Sequence, residues 1–157
     1  MLDKTLLVAA IKNGTVIDHI AQGEGLKILR LLNFYLHEDL VTIGLNLPSK
    51  ALGKKDLIKI ENCQINVEQA KQIALFSPLA TINYIENYKV VRKISNTLPS
   101  QISSVLICPN HQCITNHERI KTYFIVEQIG SLTELSCKYC CKKFSKEEIK
   151  EFISDRN

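Results

Sequence analysis

An α+β architecture in two parts is what this 157-residue chain predicts. Three observations lead there. Residues 1–95 alternate short extended runs with two segments of helical periodicity. A polar stretch containing a proline, residues 96–103, reads as a linker. Residues 104–157 hold short β-prone runs punctuated by two pairs of cysteines and end in a short helix.

The apolar run at residues 4–11 reads as a buried strand, and Asn13-Gly14 as the turn after it. Thr15–Ile20 resumes the extended chain. In Glu24–Leu36 the apolar positions Leu26, Ile28, Leu29, Leu31, Leu32 and Tyr35 cluster at helical spacing. Val41–Leu47 alternates as a strand that Pro48 stops, and Asp56–Glu61 is the next strand. Asn66 and Gln69 form a capping box for a helix that ends near Ser77-Pro78. Thr81–Glu86 and Lys89–Ile94 complete the series. Its order is βαββαβ plus extra strand, the split βαβ or ferredoxin-like arrangement. In the second part, strands are expected at Val105–Ile107, Thr122–Val126 and Glu134-Leu135. A capping box, Ser145-x-x-Glu148, opens a terminal helix through Ile149, Phe152 and Ile153.

Composition narrows the function. With 45% hydrophobic and 23% charged residues the chain has an ordinary globular make-up. A net charge of +4, with acidic and basic side chains close to balance in both parts, gives no basic stripe for nucleic acid. No run approaches the 18 apolar residues of a membrane helix, and no leader pattern stands out, so the expected compartment is the cytoplasm. Thiols stay reduced there, and paired cysteines point to metal.

The pattern is Cys108-x4-Cys113, a gap of 23 residues, then Cys137-x2-Cys140. Two such knuckles bring four sulfurs to one tetrahedral point, which suits a closed structural zinc site with no position left for catalysis. A domain this small buries too little apolar surface to fold securely alone, and zinc couples roughly 10–16 kcal/mol to folding in comparable peptides. Disulfides, an iron–sulfur cluster, and His111 or His117 replacing one thiol remain alternatives. Cys141 competes with Cys140 for the fourth place, although the x2 spacing favours Cys140. Cys63 reads as a buried apolar thiol.

Residues 1–95 show neither a phosphate loop nor a nucleophile elbow. They do place polar groups on strands: Asp18, His19, Lys59, Asn83 and Lys93. These form either a solvated sheet face or a site for a small anion, with cations meeting phosphates and Asp18 accepting from sugar hydroxyls.

Several blocks resemble the regulatory chain family of aspartate carbamoyltransferase. They are Gly14-Thr-Val-Ile-Asp-His-Ile, Thr42-Ile-Gly-Leu-Asn-Leu-Pro-Ser, Lys55-Asp-Leu-Ile-Lys-Ile-Glu-Asn, Asn87-Tyr-x-Val-Val, Cys108-Pro-Asn-x2-Cys113 and Cys137-Lys-Tyr-Cys140. They run in order over nearly the whole chain. The resemblance implies a non-catalytic subunit acting in pyrimidine biosynthesis. Its N-terminal domain would bind CTP, often with UTP, as inhibitor and ATP as activator. That domain would pair with a second copy, and the zinc domain would dock on the catalytic chain. By matching position, Asp18 and His19 would contact ribose and phosphate. Lys59 would lie near ribose and base, and Lys93 near the phosphates. Asn83 and Val90 would line the phosphate end, and Ala10, Ile11 and Tyr88 would frame the base. Thr5, Ala9 and Cys141 depart from the family's pattern, which has a lysine at the first place and acidic residues at the other two. A zinc-ribbon nucleic-acid binder is the alternative, and neither nucleic acid nor membrane is an expected partner.

Overall fold

Alternation of buried and half-buried residues from Gly14 to Asp18 in β1 (Gly14–Ala21) sets the plan of the first sheet. The computed structural model describes residues 7–104 and 106–149. The chain divides into two compact units, Met1–Thr97 and Leu98–Asn157.

In the first unit β1 is followed by α1 (Gly25–Leu31), β2 (Val41–Ser49), β3 (Gly53–Glu61), α2 (Val67–Phe76), β4 (Thr81–Glu86) and β5 (Lys89–Ser95). The strands pair antiparallel in the order β2-β3-β1-β4-β5, the ferredoxin-like order with one added edge strand. Register puts Thr15 and Ile17 opposite Ile60 and Ile58, and Ile17 opposite Ile82. All five are fully buried, as are Ile28, Ile73 and Ala74 of the two helices. One sheet face therefore carries the core, and each buried aliphatic side chain is worth about 1.5–3 kcal/mol.

Asp56 is buried on the same side and accepts three backbone N–H groups. Gly23 and Gly25 donate to its Oδ2 and Asn46 to its Oδ1, each at 3.0 Å. One carboxylate thus ties the start of α1 and the middle of β2 to β3. Gly25 makes room for it, since a Cβ there would lie 2.9 Å from the Asp56 side chain.

The second unit contains β6 (Gln101–Ser103), β7 (Tyr123–Ile129), β8 (Leu132–Cys137) and β9 (Lys143–Ser145), paired in sequence order. Ile102, Leu106, Phe124, Val126 and Leu135 form its small core.

Several sequence expectations change; Cys63, for one, is half-exposed rather than buried, and Leu106-Ile107 form no strand. The described part of the 4–11 run makes no strand; it lies as irregular chain, and Gly14 opens β1 instead of closing a hairpin. Glycine is required there, because at φ +143° a Cβ would sit 2.1 Å from the Ile60 carbonyl oxygen. The helix expected through Leu36 stops at Leu31, because Asn33 turns left-handed at φ 55°, and only a 3₁₀ turn, Phe34–Leu36, follows. β2 runs through Pro48 to Ser49, since an edge strand can spare one N–H. The last three residues of the expected linker pair with β7 as β6. The final capping box forms and opens a 3₁₀ turn, Lys146–Glu148. Val105, Phe152 and Ile153 lie outside the described residues.

Candidate metal centre and effector face

Each cysteine pair is set by a tight local turn in the second unit. In the first, Cys113 N–H donates to the Asn110 carbonyl at 2.9 Å. Asn116 Nδ2 donates to the Cys108 and Asn110 carbonyls at 2.9 and 2.8 Å, bracing the loop from inside. In the second, Cys137 ends β8 and its carbonyl accepts from Cys141 N–H at 2.9 Å.

The Sγ atoms of Cys108, Cys113, Cys137 and Cys140 all lie within 4.8 Å of one another. Cys108 and Cys140 sulfurs are 3.7 Å apart and those of Cys113 and Cys137 3.8 Å apart. A tetrahedral zinc with bonds of about 2.3 Å requires sulfur–sulfur edges of about 3.8 Å. A disulfide needs about 2.05 Å, and all six cysteines are free thiols. An iron–sulfur cluster interposes several atoms and would hold the sulfurs further apart. His111 and His117 stand outside the cluster, joined by a bond from His117 Nε2 to the His111 carbonyl at 2.8 Å. Cys141 is exposed and is not part of the cluster.

Burial raises the Cys108 and Cys137 thiols well above their ordinary range. Burial acts in the same direction on Cys140, but hydrogen bonds from the Lys142 backbone, Asn110 and neighbouring thiols outweigh it and bring it down to about 7. Thr115 Oγ1 donates to Cys113 Sγ at 3.2 Å, a contact that steadies a thiolate. Four sulfurs at tetrahedral spacing make a closed site for one structural zinc ion.

The first unit carries a second arrangement, on the sheet face away from the helices. Lys59 of β3 stands opposite Val16 of β1, Val16 opposite Asn83 of β4, and Asn83 opposite Lys93 of β5. Residues directly opposite share a face, so Lys59, Asn83 and Lys93 form one row across four strands. Asp18 lies two residues along β1 from Val16, on the same face, and faces Thr81 in the pairing with β4.

A bulge in the β1–β3 pairing falls between Ile17 and Ile20 and leaves Asp18 and His19 outside the ladder. His19 takes φ 55° there. Asp18 Oδ1 accepts from Lys55 Nζ at 2.7 Å and from His19 N–H at 2.7 Å. Burial works against the Asp18 charge, but those bonds and the Lys55 charge win and hold its pKa below the usual value. Burial pushes the Lys59 ammonium down, and the Asp18 charge offsets part of the shift. His19 presents the same Nδ1 to Thr81 Oγ1 at 3.3 Å and to Asp18 at 3.9 Å. It therefore cannot pass a proton from hydroxyl to carboxylate through opposite ring nitrogens, and this trio is no catalytic relay.

Ala10 is exposed and Ile11 buried, in the irregular chain just before β1. Asn87 and Tyr88, both with positive φ, form the two-residue turn between β4 and β5. Tyr88 N–H donates to the Lys12 carbonyl at 2.9 Å, which brings the turn to the chain around Ile11. Val90 follows that turn opposite Ile85, so it stands at the Tyr88 end of the sheet. From Gly14 to Asp18 the face spans four residues, about 13 Å at strand rise. A cavity of about 650 Å³ between α2 and β4–β5 contains none of these residues.

Lys55 was missed in the sequence, although it lies four residues before Lys59 and therefore on the same strand face. The braces Thr115 and Asn116 carried no sequence signal, because they act through a loop whose shape the spacing alone does not specify.

A sheet face with three lysines and a carboxylate, joined in one chain to a closed metal site, is the make-up of a binding protein. The comparisons agree. The model of the aspartate carbamoyltransferase regulatory chain, allosteric domain, matches residues 6–97, and that of the regulatory chain, metal binding domain, matches residues 100–150. The aspartate carbamoyltransferase regulatory chain of Vibrio parahaemolyticus is 52% identical over 146 residues, covering 93% of this chain and 95% of the relative. That of Photobacterium profundum is 50% identical over 152 residues, covering 97% and 96%. That of Chromobacterium violaceum is 48% identical over 147 residues, covering 94% and 97%. The chain belongs to the aspartate carbamoyltransferase regulatory chain family. Its N-terminal part is the family's allosteric domain and its C-terminal part the metal-binding domain.

Proposed function

We propose that this chain tunes an aspartate carbamoyltransferase catalytic chain by binding nucleoside triphosphates on the open face of its first unit. CTP, with UTP, inhibits and ATP activates, in the service of pyrimidine biosynthesis in the cytoplasm. The observation that carries this reading is the row Lys59–Val16–Asn83–Lys93, with Asp18 beside it along β1 and the Ala10–Ile11 chain and the Tyr88 turn on the Gly14 side. Lys93 and Asn83 meet phosphates, Asp18 and His19 meet ribose and phosphate, and Lys59 lies between ribose and base. Cytosine and adenine each present an amino donor that a backbone carbonyl accepts, so one base wall serves both.

Two copies pair through their first units, and the zinc unit docks on the catalytic chain. A nucleotide shifts the enzyme only as far as it binds one quaternary state better than the other. Reconstitution with the cognate catalytic chain tests the whole reading. CTP should move the aspartate saturation curve to higher aspartate and ATP to lower. Curves that superimpose with and without saturating nucleotide would overturn it.

A further inference from the structure

The chain around Ala10 and Ile11 belongs to neither helix nor strand, so no ladder of backbone bonds holds it. It is fixed at two points instead. Beyond it, the Lys12 carbonyl accepts from Tyr88 N–H and the Asn13 carbonyl from Asn62 N–H at 3.0 Å. Before it, Lys59 Nζ donates to the Val8 carbonyl at 3.2 Å and to the Ala9 carbonyl at 2.7 Å. Between these anchors Ala10 is exposed, while Ile11 sets its side chain in the core.

Lys59 is 9% exposed, an unusual setting for an ammonium. Burying a charge costs free energy unless it is hydrogen-bonded, and the two carbonyls meet that need. Its neighbour on the same strand face, Leu57, is equally buried with no polar group at all. Packing alone therefore does not call for a cation at this place. The lysine supplies what an aliphatic side chain cannot, namely donors for the backbone of the chain lying over it.

We propose that Lys59 is a positioning residue. It clamps the Val8 and Ala9 carbonyls before any ligand arrives and so holds Ala10 and Ile11 in place as a ready-made wall for the base. Its cation acts on the effector through this backbone as well as through its own charge. Two of the three ammonium donors are committed to the clamp, and the third remains for a ligand acceptor. The second half of the statement rests on the nucleotide-binding reading above; the clamp itself does not.

The full chain tests it in two arms. In the first, without nucleotide, Lys59→Met should loosen the backbone of residues 8–11, read as a clear fall in their NMR order parameters, while Lys59→Arg, which keeps the donors, stays close to the parent. Equal order parameters in Lys59→Met and the parent would overturn the clamp. Should Lys59→Met fail to fold, nitrogen NMR of the unmodified chain decides. The Lys59 ammonium should be protected from solvent and coupled through hydrogen bonds to the Val8 and Ala9 carbonyl carbons; a freely exchanging ammonium without that coupling overturns the clamp.

In the second arm, CTP and inorganic triphosphate are titrated separately. Clamp loss should weaken CTP at least about tenfold and leave inorganic triphosphate within about twofold. Equal weakening of both would make Lys59 a phosphate contact only and overturn the positioning role. CTP that does not bind the parent chain overturns the nucleotide reading, and the first arm still decides the clamp.

Discussion

Cys141 takes the left-handed conformation at φ 62°, one residue past the last metal ligand. An L-residue other than glycine, asparagine or aspartate pays roughly 1–2 kcal/mol there. Cys141→Gly should therefore keep one zinc per chain and raise the melting temperature of the second unit slightly. Cys140→Ser should lose tight zinc, which atomic absorption after dialysis against a weak chelator would read directly. The reverse pattern would make Cys141 the ligand. The competition between these two thiols was open in the sequence except for the x2 spacing, and sulfur positions decide it. Asp18 gives a second residue-scale prediction. Its pKa in the folded chain lies below the usual value, so its charge stabilises the fold above about pH 4, and that contribution is lost as pH falls through the depressed folded value. Urea midpoints between pH 6 and 3 should fall less steeply in Asp18→Asn than in the parent. Parallel curves would mean that the Lys55 pair adds nothing.

Elements with local chemistry were legible from the sequence, and elements with tertiary causes were not. The α2 capping box is local: Gln69 N–H donates to Asn66 Oδ1 at 2.8 Å, and Asn66 N–H to Gln69 Oε1 at 3.0 Å. Asn66→Ala should cost about 1 kcal/mol, read as a shift of the urea midpoint of the first unit without a change in slope. A shift below about a quarter of that would mean that packing alone fixes the helix start. By contrast, the 4–11 run has the composition of a strand, yet its described part pairs with no strand. β3 is flanked by β1 and β2, and β4 by β1 and β5. That part lies instead against Lys59, whose ammonium supplies two bonds to its carbonyls. The row Lys59, Asn83 and Lys93 was equally hidden. Its members are visible as polar residues on strands, but their alignment is a fact of register that no single strand contains.

At the scale of the molecule, the two units differ in what holds them together. The first rests on a core that spans a five-stranded sheet and two helices. Among its described residues the second has four strands, two of them three residues long, and a handful of buried apolar side chains around Phe124. Cys108, Cys113 and Cys137 are buried together with those side chains, so the metal site is part of that core. Chelation should therefore act on one unit. Without zinc, amide exchange in residues 101–149 should approach the unfolded rate, while residues 14–95 stay protected. Acid should imitate the chelator. The metal binds thiolates, so protons compete with it, and burial raises the thiols of Cys108 and Cys137. Zinc affinity must then rise with pH and fall as pH drops, with loss of the second unit following loss of the metal. The proposed docking role adds a functional readout. A zinc-free chain should elute apart from the catalytic chain on a sizing column and rejoin it when zinc is restored. A zinc-free chain that still co-elutes would mean that the metal holds the fold of this unit but not the surface that grips the enzyme.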